Sequence, residues 1–241
     1  MSRIRQVYFV RLFLRITIFI ATIILLFLAP QQFEVINTWN FFKEFSIFHL
    51  LWLAWVIDMI AQLFPVKDIA IGSQKVFKIK FRPVLDKLLD REKLKDYIIK
   101  TNKAAGKVMI IWVVLIVTIS ALKLAKIIEN KHLFVISVGF YVCDLICVLI
   151  WCPFRLIMGN KCCTTCRIFN WDHLMMFTPM LFVGGFFSVS LIIFSVINFI
   201  IWEVVIYLHP ERFWEKSNMS LKCSECTDKL CTQYCQRLRK H

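Results

Sequence analysis

The chain has 241 residues, of which 59% are hydrophobic and 15% aromatic, and its mean hydropathy is +0.67. A soluble domain is about 45–50% apolar, so this composition excludes a disordered chain, a secreted disulfide scaffold and an ordinary soluble enzyme. The net charge is +14. In a membrane protein such an excess first concerns topology and anionic lipid, so nucleic acid is not an expected partner. We therefore predict an all-α, polytopic helical membrane protein.

Five apolar segments are predicted to span the membrane. Each approaches the ~20 residues that a span needs, and each must be helical because lipid offers backbone groups no partner. The segments cover residues 12–29, 45–64, 108–128, 133–151 and 180–206. We expect them to form one membrane domain over residues 1–208, followed by a basic, Cys-rich tail over residues 209–241.

The segment between the second and third spans sets the predicted orientation. Residues 65–107 carry twelve basic and five acidic side chains, a net charge of +7. The positive-inside rule places this loop and the N-terminus in the cytoplasm of a multi-pass cell-membrane protein. Pro83 opens a stretch with one apolar and one basic face, which predicts an interfacial amphipathic helix in contact with anionic lipid headgroups.

The last apolar run, residues 175–208, leaves the span count at four or five. It contains 34 residues with one charged side chain, Glu203. As one helix it would extend ~51 Å, against a hydrocarbon core of ~30 Å. One long tilted helix would leave the tail outside. A break near Pro179 or at Gly184-Gly185 would return the tail to the cytoplasm, and the sequence leaves both alternatives open.

The ten cysteines all lie in the second half of the chain, and two sets have spacings typical of metal ligands. Closely spaced thiolates suit zinc or an iron–sulfur cluster, and the sequence does not choose between these two cofactors. Disulfides or thiols without metal are the alternatives for the tail. The predicted ligands are Cys223, Cys226, Cys231 and Cys235 in the tail and Cys152, Cys162, Cys163 and Cys166 in a Cys-rich loop, residues 152–173.

Two carboxylates lie inside predicted spans, Asp58 in the second and Asp144 in the fourth. A carboxylate in hydrocarbon costs ~2.5–3.5 kcal/mol on insertion scales, so it usually faces another helix or a water-filled cavity. One interpretation is a proton or cation site that includes His49 or the pair Cys143 and Cys147. The other is that the two acids hold helices together by hydrogen bonds.

Two further segments carry a resemblance. One runs from Cys162 to Pro179 and includes Trp171-Asp172-His173, and the other is His209-Pro210-Glu211-Arg212-Phe213, ahead of the tail cysteines. Together they resemble a group of uncharacterised, Cys-rich polytopic membrane proteins of anaerobic bacteria, over about residues 150–235. The resemblance implies a reducing cytoplasm in which thiolates persist. It implies no particular activity.

Walker, GxGxxG, HExxH and GxSxG motifs are absent from the sequence, which favours a protein that is not an enzyme. The expected function is a cysteine-ligated metal centre near the membrane surface, for electron transfer or for docking of a protein partner at the tail. A first alternative is transport or sensing of a cation or proton through Asp58 and Asp144. A second is a membrane scaffold without chemistry.

Overall fold

The computed structural model describes residues 3–43, 45–64, 76, 80–84, 90–159, 166–225 and 230. Every regular element in these ranges is helical, which confirms the all-α prediction. The α-helices are α1 (Arg3–Leu28), α2 (Ile47–Leu63), α3 (Arg91–Leu124), α4 (Asn130–Leu149), α5 (Phe154–Met158), α6 (Asp172–Phe177) and α7 (Gly185–Leu208). Short 3-10 helices cover Pro30–Asn37, Arg167–Trp171, Thr178–Phe182, Pro210–Phe213, Met219–Leu221 and Cys223–Glu225.

Four of these helices, α1, α3, α4 and α7, are long and apolar enough to cross a membrane. They confirm the prediction of a polytopic membrane protein. The second predicted span, residues 45–64, corresponds to α2, an apolar helix of 17 residues. Its length of about 26 Å falls slightly below the hydrocarbon thickness of about 30 Å.

The helices alternate in direction around a shared interior. α1 runs antiparallel to α4, because Leu12 packs with Leu145 and Leu149 whereas Phe19 lies against Gly139. We call the end of the bundle where α1 begins and α4 ends the basic end, and the opposite end the far end. α2 finishes and α3 begins at the basic end.

Aromatic side chains fill the interior between α2, α4 and α7. Trp55 has no exposed surface, and its ring lies 5.1 Å from the Phe177 ring and 5.7 Å from the Tyr141 ring, centroid to centroid. Phe134 and Phe187 complete this contact set and are also fully buried. Burial of such rings stabilises the packing of helices that otherwise present apolar surface outward.

The last apolar run is broken, as in the second of the two sequence alternatives. α6 and the 3-10 helix Thr178–Phe182 come first, and α7 begins only at Gly185. Both Gly184 and Gly185 have φ of +77°, and a Cβ on Gly185 would lie 2.7 Å from the Ile36 carbonyl oxygen. The predicted span 180–206 is therefore displaced, because the glycine pair redirects the chain against residues 36–37 before α7 starts.

The boundaries of the third and fourth spans also differ from prediction. α3 is a continuous helix of 34 residues, which absorbs residues 91–107 of the basic loop. Asp90 caps it by accepting hydrogen bonds from the amides of Glu92 and Lys93, both at 3.1 Å. The helix ends at Leu124, where Lys126 adopts a positive φ of 58°. Residues 85–89 of the predicted interfacial helix lie outside the described residues.

The start of the tail pairs with the basic loop, so both lie at the same end of the bundle. The Met219 amide donates to the Arg82 carbonyl at 2.9 Å, and the Val84 amide donates to the Ser217 carbonyl at 3.0 Å. Leu221 packs with Val76 and Trp202 beneath this pairing. Hydrophobic burial and backbone pairing therefore order residues 210–222, which precede all four tail cysteines.

Candidate functional site

Arg15 of α1 lies in the interior of the bundle, with 8% of its side chain exposed. Its Nη1 donates to Asp144 Oδ2 at 2.7 Å and to the Tyr141 carbonyl oxygen at 2.7 Å. The guanidinium carbon also lies 3.7 Å from the centre of the Tyr141 ring, a cation–π arrangement. α4 thus holds the arginine by a carboxylate, a carbonyl and a ring.

Asp58 of α2 reaches the same arginine from the other side. Its Oδ2 lies 3.4 Å from Arg15 Nη2 and 3.8 Å from His173 Nε2. His49, which the sequence offered as its partner, instead accepts from the Ser46 amide and lies near the Phe41 carbonyl at the start of α2. Asp58 is therefore paired with Arg15 and His173, because nine residues of helix separate it from His49.

α6 supplies the remaining members of the cluster. His173 Nδ1 lies 3.1 Å from Asp172 Oδ1, and Gln62 Nε2 donates to Asp172 Oδ2 at 2.7 Å. The Gln62 Oε1 atom is buried without a hydrogen-bond partner among the described residues. Four helices therefore bring together Arg15, Asp58, Asp144, Asp172 and His173, which we call the charged network.

The charged network lies inside the bundle, about 8 Å from the ends of α2 and α4 at the basic end, and it contains more negative than positive groups. Asp58 and Asp144 each precede the last residue of their helix by five residues, a depth of about 8 Å. The network contains three carboxylates, whereas the cationic groups in contact with them are Arg15 and His173. With all five groups ionised, each carboxylate contacts a cation, and the network has a net charge of −1.

A cavity of about 230 Å³ opens beside the charged network, between α3, α4, α5 and α6. Asp144 and Asp172 belong to both the network and the cavity wall. The remaining walls are mainly hydrophobic side chains and sulfur atoms. The sulfur-bearing residues on these walls are Cys143, Cys147, Cys152, Cys166, Met175 and Met176.

The cavity brings together some of the predicted metal ligands. Cys152 and Cys166 are buried on its wall, although fourteen positions separate them in the sequence. Cys162, Cys163, Cys226, Cys231 and Cys235 lie outside the described residues, and Cys223 is half-buried in the tail. Among the described residues, no group of three or more His, Cys, Asp or Glu side chains is arranged to hold a metal ion.

A second ionic cluster fastens the Cys-rich loop to two long helices. Arg167 forms a two-pronged ion pair with Glu203 of α7 and also donates to Asn102 of α3. Trp171 Nε1 donates to Glu203 Oε1 at 2.8 Å. The side chains of Arg167, Glu203 and Trp171 are thus hydrogen-bonded within the protein, and this cluster positions the loop. The charged network is therefore the candidate site.

Sequence reasoning identified Asp58 and Asp144 but missed Arg15, near the start of the first predicted span, as their partner. The available signal was its position, four residues after Arg11 and inside the apolar run. A lone arginine in one span and lone aspartates in two others are complementary. Asp172 and His173 were considered only as neighbours in sequence, yet their side chains do meet.

Comparisons of the chain with family models, curated proteins and solved structures found no match. Its function is therefore inferred from the geometry of the charged network and the adjoining cavity.

Proposed function

We propose that the protein moves or senses a proton or cation through the charged network. The observation that carries this proposal is the imbalance of charge in a membrane interior. Three carboxylates share two cationic partners, so the network has capacity for one further positive charge. Ionisable groups inside membrane segments characteristically mark ion pathways or proton relays.

The cavity supports the same proposal because it supplies a route to the carboxylates. Asp144 and Asp172 line it, and Arg15 and His173 extend from them to Asp58. Proton transfer requires groups within hydrogen-bond reach or one water apart. The Asp172–His173 contact of 3.1 Å satisfies that condition, the His173–Asp58 distance of 3.8 Å would have to shorten for a proton to pass, and Arg15 acts only as a fixed positive charge beside Asp58.

Flux measurements test this function. The purified protein is reconstituted in vesicles, and proton or monovalent cation flux is compared with that of Asp58→Asn and Asp144→Asn. We expect each variant to lose at least about tenfold in flux, because an amide cannot carry the exchanged charge. Asp90→Asn is the matched control, since Asn is an equally good helix cap at this exposed position.

Wild-type flux in both network variants would contradict the proposal and assign the acids a purely structural role. Flux that is absent from the wild-type protein as well would favour a membrane scaffold. Both outcomes require that the variants remain folded, which circular dichroism and size-exclusion chromatography in detergent establish.

A second candidate function is a cysteine-ligated zinc or iron–sulfur centre near the membrane surface, for electron transfer or partner docking. The observation that favours it is that Cys152 and Cys166, two of the predicted ligands, are both buried and line the same cavity. Metal analysis of the purified protein tests it, and brown colour would indicate an iron–sulfur cluster. Cys226→Ser and Cys231→Ser should each remove about one metal equivalent if the tail supplies the ligands, and unchanged metal would exclude the tail.

The basic surface around α3 and the tail suits an anionic partner. Lys93, Lys95, Lys100 and Lys103 project from the first part of α3 at the basic end. Anionic lipid headgroups attract such a surface by about 1 kcal/mol per basic residue close to the membrane. We propose that this surface faces the cytoplasmic leaflet, with the basic end inside the cell.

A further inference from the structure

The cavity contains one pair of thiols in direct contact. Cys147 lies in the last turn of α4, and Cys152 comes three residues after Leu149, the last residue of that helix. Their side chains are hydrogen-bonded to each other, and both line the cavity. A thiol pair held this closely is a chelating group for an ion that prefers sulfur.

We propose that Cys147 and Cys152 form a two-coordinate binding site for a soft monovalent cation, the cuprous ion. Cu(I) is selected by thiolate and thioether ligands, and two thiolates satisfy it, whereas structural zinc requires four donors. The structure provides two sulfur atoms in contact, and Met175 and Met176 add thioethers on the same cavity wall. The sulfur donors of the cavity are therefore all soft ligands, although the carboxylates of Asp144 and Asp172 also line it.

Binding of Cu(I) to the two thiols needs no redox step, and its atoms and charges balance. Each of the two Cu–S bonds replaces an S–H bond, and the two protons leave to solvent. The resulting complex has one negative charge, and Arg155 of α5 lies on the same wall with a positive one. The cavity also connects this pair to Asp144, which follows Cys143 and precedes Cys147 by three residues on α4.

This inference deepens the proposed function by naming the cation and rests on that function only for the claim that the bound ion is cargo. Binding itself is tested separately. Full-length protein in which the six cysteines Cys162, Cys163, Cys223, Cys226, Cys231 and Cys235 are replaced by serine keeps the four cavity thiols. It is titrated anaerobically with Cu(I) in the presence of a chromogenic Cu(I) chelator.

We expect this chain to retain one equivalent of Cu(I) against the chelator. Cys147→Ser and Cys152→Ser should each abolish that equivalent, because a single thiolate leaves the ion one donor short. Cys143→Ser is the matched control, since it lies one turn from Cys147 on the same helix and is outside the contacting pair. Retention of Cu(I) by either pair variant, or no Cu(I) in the parent chain, would overturn the proposal.

A measurement on the wild-type chain covers the case in which the six-serine chain does not fold. One equivalent of Cu(I) is added before brief alkylation, and modified cysteines are identified by mass spectrometry. Cys147 is half-buried and Cys143 is exposed, and we expect Cu(I) to lower the modification of Cys147 while Cys143 is modified equally in both samples. Equal modification of Cys147 would contradict the site.

The two proposals fail in different experiments. Loss of flux in Asp58→Asn together with no Cu(I) binding would leave the proposed function standing and remove the metal site. Cu(I) binding at the pair together with normal flux in Asp58→Asn would assign the thiols a storage or sensing role.

Discussion

The polar contacts in the interior of this protein are arranged around Arg15, whose guanidinium group is permanently charged. Arg15 contacts a carboxylate on each of two helices, and the Tyr141 carbonyl and ring occupy its remaining surface. An arginine cannot be neutralised by losing its proton under ordinary conditions, so burial is tolerable only with such partners. Arg15 stabilises the two aspartates in turn, so the contributions of these three residues to the stability of the protein depend on one another.

Replacing Arg15 alone should therefore destabilise the protein more than replacing Arg15 and Asp144 together. We expect Arg15→Met to lower the free energy of unfolding by about 3–5 kcal/mol, because it leaves buried carboxylates uncompensated. The double variant Arg15→Met/Asp144→Asn should regain a large part of that loss. Denaturant unfolding in detergent micelles, followed by circular dichroism, measures the coupling.

A loss in the double variant equal to the sum of the losses in Arg15→Met and Asp144→Asn would show that Arg15 and Asp144 act independently. Arg11→Met serves as the control, since Arg11 lies on the same helix one turn away and is only partly buried.

Most elements of the fold follow from hydropathy, and those that do not are decided by contacts between distant residues. The apolar runs of α1, α2 and α4 predicted those helices to within a few residues at most boundaries, although α1 begins earlier, within the arginine-rich segment. The break before α7 depends on the approach of Gly185 to residues 36–37, which a linear sequence does not reveal. Of the charged network only Asp58 and Asp144 were predicted as site residues, for the same reason: its members come from four separate helices.

The junction before α7 is sensitive to a single methyl group. We expect Gly185→Ala to destabilise the protein by at least about 1–2 kcal/mol, because the backbone has positive φ and the new Cβ would lie 2.7 Å from the Ile36 carbonyl oxygen. Gly106→Ala is the matched control within α3, where a Cβ meets nothing within 4 Å. That change should be neutral or stabilising by up to about 1 kcal/mol.

Thermal unfolding of the two glycine variants in the same detergent distinguishes them. A Gly185→Ala protein as stable as Gly106→Ala would mean that residues 36–37 yield readily to the added methyl group.

The whole molecule is asymmetric along the direction of its helices. The basic end gathers the start of α3, the paired residues of the loop and tail, and the Arg167–Glu203 ion pair. The far end presents residues 30–43, the turn after α3 and the junction at Gly185. From the positive-inside rule we expect the basic end to face the cytoplasm.

Accessibility to an impermeant maleimide measures this orientation on intact cells. In a chain lacking the native cysteines, Asn40→Cys at the far end should react from outside, because the residue is exposed in the structure. Ser224→Cys, exposed at the basic end, should react only after the cells are permeabilised. Reaction of Ser224→Cys alone on intact cells would invert the orientation.

The sequence separation of the Arg15 partners has a consequence during synthesis. Asp58 follows Arg15 by 43 residues, and Asp144 follows it by 129. At about 5–20 residues per second, these partners are made roughly 2–9 s and 6–26 s after the arginine. α1 therefore enters the membrane with an uncompensated charge, and Asp58 neutralises it several seconds before α4 exists. We therefore expect Asp58, whose contact with Arg15 is the longer of the two in the finished protein, to be the first counter-ion available to Arg15 during assembly.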